Sequence, residues 1–336
     1  MTDTRAPRPT DLVALVTFDE EVRENLAITR DHLGVANEPP RPLAAAIEQW
    51  LHLGRRMWIS MAGREIRGIA TARELSRTAW ELDTLIDAPE GGEEVIADLL
   101  RQAARAARGG LVTRVLLRTP VGSAAAETAP RAGFRQVVEE TLWIGHPAGA
   151  VGADAGQPAE DREGDTNRLG ASDGAFDALG VREATTADLQ ARFQLYCRAY
   201  SMTAREALAM TQGEWQDVQD TRWVDRGSPP ILVAESGGRV RAALQASSSG
   251  QFSLLAEPEA VNAGEVLIQE LRRRLPSSGD VYGLVVSGSA AEQAARRAGL
   301  QPAGEYELFC LRVSRPIREE AREAATARAG IAIPGR

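Results

Sequence analysis

Apolar and polar positions alternate in two stretches of this chain, and both alternations break at the same kind of turn. In MWISMAGREIRGIATAR (57–73) and PILVAESGGRVRAALQAS (230–247), two apolar runs flank a glycine with an arginine close by. That is the signature of a β-hairpin. After each hairpin an apolar strand runs to a proline, Pro89 or Pro258, and a glycine then opens a helix. The helix pattern repeats in register, Gly92-x-x-Val95-Ile96-x-x-Leu99 against Gly264-x-x-Leu267-Ile268-x-x-Leu271, which predicts one apolar face. A third block, 114–144 against 280–313, reads as strand, small-residue helix, an Arg-Ala-Gly stop and a final strand. Helical patterns precede both hairpins: EEVRENLAITRDHLG (20–34) and PLAAAIEQWLHLG in the first half, then TADLQARFQLYCRAYSM, TAREALAM and GEWQDVQDTRWVDRG in the second. Trp215 and Trp223, eight residues apart, are expected to share a helix face.

Three matched blocks in one order predict a duplicated domain. The competing reading is that any two mixed domains share such blocks. Each half reads as α+β, a mixed, mostly antiparallel sheet flanked by helices. The 336 residues suit two such units. The expected division is a flexible start (1–10), a first lobe (11–146), a linker (147–178), a second lobe (179–315) and a solvated tail (316–336). The linker reading rests on charge: seven acids face two arginines between His146 and Leu179, which holds −5 of the formal −8. A segment rich in Gly, Ala, Asp and Pro buries too little apolar surface to offset its ordering entropy. No basic stripe is present, so nucleic acid and anionic membranes are not expected partners. Cys197 and Cys310 are too few for a disulfide framework, and with no secretion signal a cytoplasmic setting is expected.

The element order resembles that of the GNAT acyltransferase superfamily over nearly all of both halves. The hairpin, the strand ending in proline, the glycine at the next helix start, and the terminal RAGF (131–134) and RAGL (297–300) carry the resemblance. It implies two tandem GNAT-like lobes and an acyl-CoA co-substrate, acetyl-CoA or another. The implied reaction is acyl transfer to an amine of a small molecule or peptide. In such proteins the pantetheine pairs with the splayed strand before the proline, here Leu255 and Ala256 in the second half. The pyrophosphate sits on backbone N–H groups at the following helix start: Gly91 and Gly92 in the first half, or Asn262, Ala263 and Gly264 in the second. A helix N-terminus offers unpaired donors and a positive dipole end.

The sequence departs from that family at several points. Glu93 and Glu94 fill the first turn after Gly92, so the first-half helix reads as self-capped and its lobe as empty. The second lobe is therefore the expected binder. The Asn and Tyr of the family fall on Gly122 and Ala129, and on Gly288 and Ala295. Tyr282 or Tyr306 is the expected substitute for the missing acid. Glu81 stands where some relatives keep a general base; alternatively it is an edge or outward-facing strand residue. Aromatic residues of the second-half helices read as an acceptor pocket or as core. The three histidines show no convergent spacing, and no metal site is expected. Nor is there a P-loop, a nucleophile elbow or a dinucleotide fingerprint. Two readings stay open: an acyl-CoA-dependent N-acyltransferase, and an inactive tandem scaffold. A homodimer is compatible with either.

Overall fold

A computed structural model describes residues 3–19, 24–33, 41–87, 92–145, 179–219, 221–275 and 280–313. The expected linker, the tail and Gly91 lie outside these residues. The first half runs β1 (Asp3–Arg5), α1 (Leu12–Asp19), α2 (Pro42–Trp50), β2 (Arg55–Ala62), β3 (Glu65–Glu74), β4 (Ala79–Asp87), α3 (Gly92–Gly109), β5 (Arg114–Pro120), α4 (Ala124–Thr128) and β6 (Arg135–Gly145). The second runs β7 (Gly180–Glu183), α5 (Leu189–Ala199), α6 (Met202–Leu208), α7 (Gln212–Asp217), β8 (Leu232–Ser236), β9 (Arg239–Ala246), β10 (Gln251–Ala256), α8 (Val261–Arg274), β11 (Val281–Val286), α9 (Ala290–Arg297) and β12 (Gln301–Arg312). Asp3–Arg5, read from sequence as a flexible start, pairs antiparallel with β2 as an edge strand.

All twelve strands join in one sheet, ordered β1-β2-β3-β4-β5-β12-β6-β11-β10-β9-β8-β7. Replace each strand by its counterpart in the other half and the order reads the same backwards, so the strand order has a pseudo-twofold. Only β4 with β5 and β10 with β11 are parallel; the other neighbours are antiparallel, as the alternating patterns predict. The final strands trade places: β12 lies along β5 and β6 along β11. Packing follows the trade. Phe309, Leu311 and Val313 enter the core under α3, and Trp143 enters the core under α8 and α9.

Alternation along the strands sorts the two faces. Trp58, Leu85, Leu117 and Phe309 face α3, while Met57, Ile59, Ile86 and Leu308 face the opposite side. There α1 and α2 cover one end of the sheet, Ile28 and Leu33 pack over Leu142 and Leu284 near its middle, and α5–α7 cover further strands of both halves.

Two predicted helices differ from expectation: one is absent over the described residues 24–33 and the other is cut short. Residues 24–29 are extended, with a single 3-10 turn at Arg30–His32. The reason is a hydrogen-bond demand elsewhere. β4 pairs with β5 only through Ala79–Glu81 and then diverges, leaving two open backbone edges. The segment bridges them: Leu26 N–H donates to Leu85 O at 2.9 Å and Ile28 N–H to Arg118 O at 2.8 Å. Buried backbone groups must be paired, and here that outweighs local helical periodicity. In the second half α7 ends at Asp217, so Trp223 lies beyond it in a turn region and shares no helix face with Trp215.

Candidate active site

The two parallel strand pairs are the places where the sheet splays, and they differ. In the second half β10 pairs with β11 through Gln251–Ser253 and Tyr282–Leu284 only. Beyond that, Leu254–Ala256 have no strand partner on the β11 side among the described residues. The gap is lined by Leu254, Leu255, Ala256, Val285, Val286 and Ser289. Its twin between β4 and β5 is filled by residues 25–28, and Asn25 locks the filling. Its amide donates to Asp83 O at 3.0 Å and accepts from the N–H groups of Ala27 and Leu85 at 3.0 and 2.8 Å.

The open gap adjoins a cavity of about 100 Å³ on the face covered by α5–α7. Its floor is ionic. Glu81, buried on β4, binds Arg73 at 2.8 Å and Arg118 at 3.5 Å, with Arg222 at 3.9 Å. Arg118 holds Glu140 at 2.6 Å, and Arg30 reaches Glu140 at 3.2 Å. Burial alone would push the Glu140 carboxyl up, yet Arg118 and Arg30 outweigh it and hold it below the usual carboxylate range. Glu81 is thus neither an edge nor an outward-facing residue; it is buried among guanidinium groups.

The wall above is aromatic. Tyr196 and Trp215 pack at 6.0 Å between ring centroids, and Tyr196 and Tyr200 at 4.9 Å. Arg192 lies 5.7 Å over Trp215. Trp215 and Trp223 line the same cavity, although from different elements. Tyr200 lines both the cavity and the gap, as do Ser253 and Leu255. Burial, and secondarily Glu140, pushes the Tyr200 phenol up to about 12. Ser253 occupies the register of Glu81: each is the last residue of its strand paired across the parallel junction.

The remaining predicted residues are scattered around this centre. Leu255 and Ala256 line the gap. Asn262 is exposed and accepts from Arg297 at 2.7 Å. Ala263 and Gly264 direct their N–H groups to Ala260 O, at 3.1 and 3.4 Å, inside the first turn of α8. Gly264 is buried against α9, where an added Cβ would sit 2.8 Å from the Ala294 Cβ. Gly92 opens α3 at φ +63°, and Glu93 beside it pairs with Arg131 at 2.6 Å. Tyr282 and Tyr306 line neither the cavity nor the gap; they pack around Leu33, Leu142 and Leu284. Ala295, at the family's tyrosine position, is fully buried in the core.

Sequence reasoning missed an arginine cluster next to the loop that starts α8. Glu257 is bound by Arg198 at 3.1 Å, by Arg241 at 2.7 Å and by Arg239. These residues come from α5 and β9, so no local motif announced them. Among the described residues no group of His, Cys, Asp and Glu is placed to hold a metal ion, and no helix is long and apolar enough to cross a membrane.

No family model matches the sequence, and no curated protein matches it. Solved structures do resemble it. A GCN5-related N-acetyltransferase from Sphaerobacter thermophilus aligns over 94% of this chain and 96% of its own, at 16% identity and a TM-score of 0.50. A tandem GNAT protein from the clavulanic acid biosynthesis pathway aligns over 94% and 100%, at 14% identity and a TM-score of 0.42. The fold of this chain is the GCN5-related N-acetyltransferase fold.

Proposed function

We propose that this protein transfers an acyl group from acyl-CoA to an amine, and that the second half alone carries the reaction. One observation carries the reading: of two equivalent strand gaps, one is filled by the chain itself and the other is left open beside a charged, aromatic cavity. The pantetheine arm of the acyl-CoA lies along Leu254–Ala256, whose free backbone edge suits its amides. The phosphates lie toward the start of α8, where three arginines face the single carboxylate of Glu257.

The acceptor amine occupies the cavity. Its nitrogen forms a bond to the thioester carbonyl carbon, the C–S bond breaks, and the sulfur leaves as a thiolate. Tyr200 spans the junction of gap and cavity and keeps its proton through the neutral range; its phenol protonates that thiolate as the amine loses a proton to water, and that proton returns through water to the phenolate. Glu81 keeps Arg73 and Arg118 in place. The competing scaffold reading draws on the loss of the family's Asn and Tyr.

Calorimetry with acetyl-CoA tests the choice. We expect one binding site per chain, and loss of binding on Val286→Trp, which fills the open gap. If the parent protein gives no heat with acetyl-CoA, the scaffold reading replaces this one.

A further inference from the structure

Resting on that assignment of the cavity, we propose that the acceptor carries a carboxylate, and that Arg192 binds it. Positive charge is left over on the cavity wall. The two carboxylates on the cavity wall, Glu81 and Glu140, are each held by arginines. Arg118 is already paired with both, which leaves two cationic donors on the same wall unmatched. Arg192 Nε and Arg30 Nη1 are both shielded from solvent, and neither has a hydrogen-bond partner among the described residues. A buried charged donor left without an acceptor is costly, and a ligand that supplies the acceptor recovers that cost.

Arg192 is the more available of the two. Arg30 already spends its other terminal nitrogen on Glu140. The carboxylate that Arg192 feels is Asp188, and Asp188 is committed to Arg182 at 2.7 and 2.8 Å and to the N–H of Thr185 at 2.7 Å. Burial meanwhile holds Arg192 below the ordinary arginine value. Stacking over Trp215 fixes the guanidinium on the cavity wall, with an aromatic surface beside it for the apolar part of a ligand. A planar guanidinium matches a carboxylate with two parallel hydrogen bonds, which an amine or neutral amide does not provide.

Small carboxylates and their neutral amides test this on the full chain without any acyl-CoA. Indole-3-acetate against indole-3-acetamide, and benzoate against benzamide, are titrated by thermal shift and calorimetry. The carboxylates should raise the melting temperature and the amides should not. Arg192→Met should weaken carboxylate binding at least tenfold, and Arg192→Lys should restore part of it. Equal binding of acid and amide overturns the proposal. So does Arg192→Met with parental affinity, or the absence of any Arg192-dependent shift with these acids. Should Arg192→Met fold poorly, the acid–amide comparison on the parent decides alone. Carboxylate binding without acetyl-CoA binding would keep the anion site and remove the acyltransferase reading.

Discussion

At the scale of single residues, the ionic floor of the cavity is where stability and chemistry meet. Glu140 sits between Arg118 and Arg30, so Glu140→Gln leaves two buried cations short of a counter-charge. Breaking a buried pair this way costs about 3–5 kcal/mol, read as a lower denaturation midpoint in urea. The same group sets an acid limit. Its folded pKa is depressed, so its contribution is complete above the ordinary glutamate value of 4.5 and fades as the pH falls below it. Thermal unfolding from pH 7 to 3 should show that loss in the parent and a flatter profile in Glu140→Gln. Tyr200→Phe should lower kcat by roughly 10²–10⁴-fold, the usual worth of a positioned acid, with little change in acetyl-CoA affinity. Unchanged kcat would remove the phenol from the reaction. The sequence made Glu81 visible as a candidate, because it stands in a recognisable block. It left Tyr200 indistinct among four tyrosines, since its place at the junction depends on how α5 lies across strands of both halves.

At the scale of elements, the hairpins and the start of α3 were legible because local patterns produce them, whereas α8 opens at Val261, three residues before the glycine read as its start. Thr211 with Glu214 caps α7 reciprocally, a four-residue signal that the reading of this pattern from Gly213 onward passed over. Residues 24–33 were not legible, because their conformation answers the open edges of β4 and β5 rather than their own periodicity. Asn25→Ala tests that account. It strips the acceptor from two buried N–H groups, and each orphaned group costs about 1–3 kcal/mol; a change below 1 kcal/mol in chemical denaturation would refute it. Gly264 lies inside α8 rather than at its first residue. Its expected place at a helix start suggested a phosphate donor, whereas its missing side chain lets α8 approach α9. Gly264→Ala should therefore destabilise by about 1–3 kcal/mol through overpacking and leave acetyl-CoA affinity unchanged once folded. Larger residues there would report on packing rather than on binding.

For the whole molecule, the internal repeat was readable and the exchange of final strands was not. Both arrangements use the same strands with the same apolar faces, and only long-range pairing distinguishes them. The exchange has a direct test. Residues 1–146 made alone lack β12 and with it Phe309, Leu311 and Val313 of their core. They should fail to form a stable monomer, whereas the fragment co-produced with 179–336 should purify with it as a one-to-one pair. A cooperatively folding monomer from 1–146 would contradict the exchange.

The exchange also imposes an order on biosynthesis. Arg114 of β5 pairs with Arg312, which is translated 198 residues later. At roughly 5–20 residues per second, the first half waits about 10–40 s on the ribosome with a bare strand edge and a hole in its core. Exposed edges invite pairing with other chains, so a chaperone that shields β5 should raise the yield of this protein more than one acting after release. A chain that stops short of β12 loses the first half as well as the second.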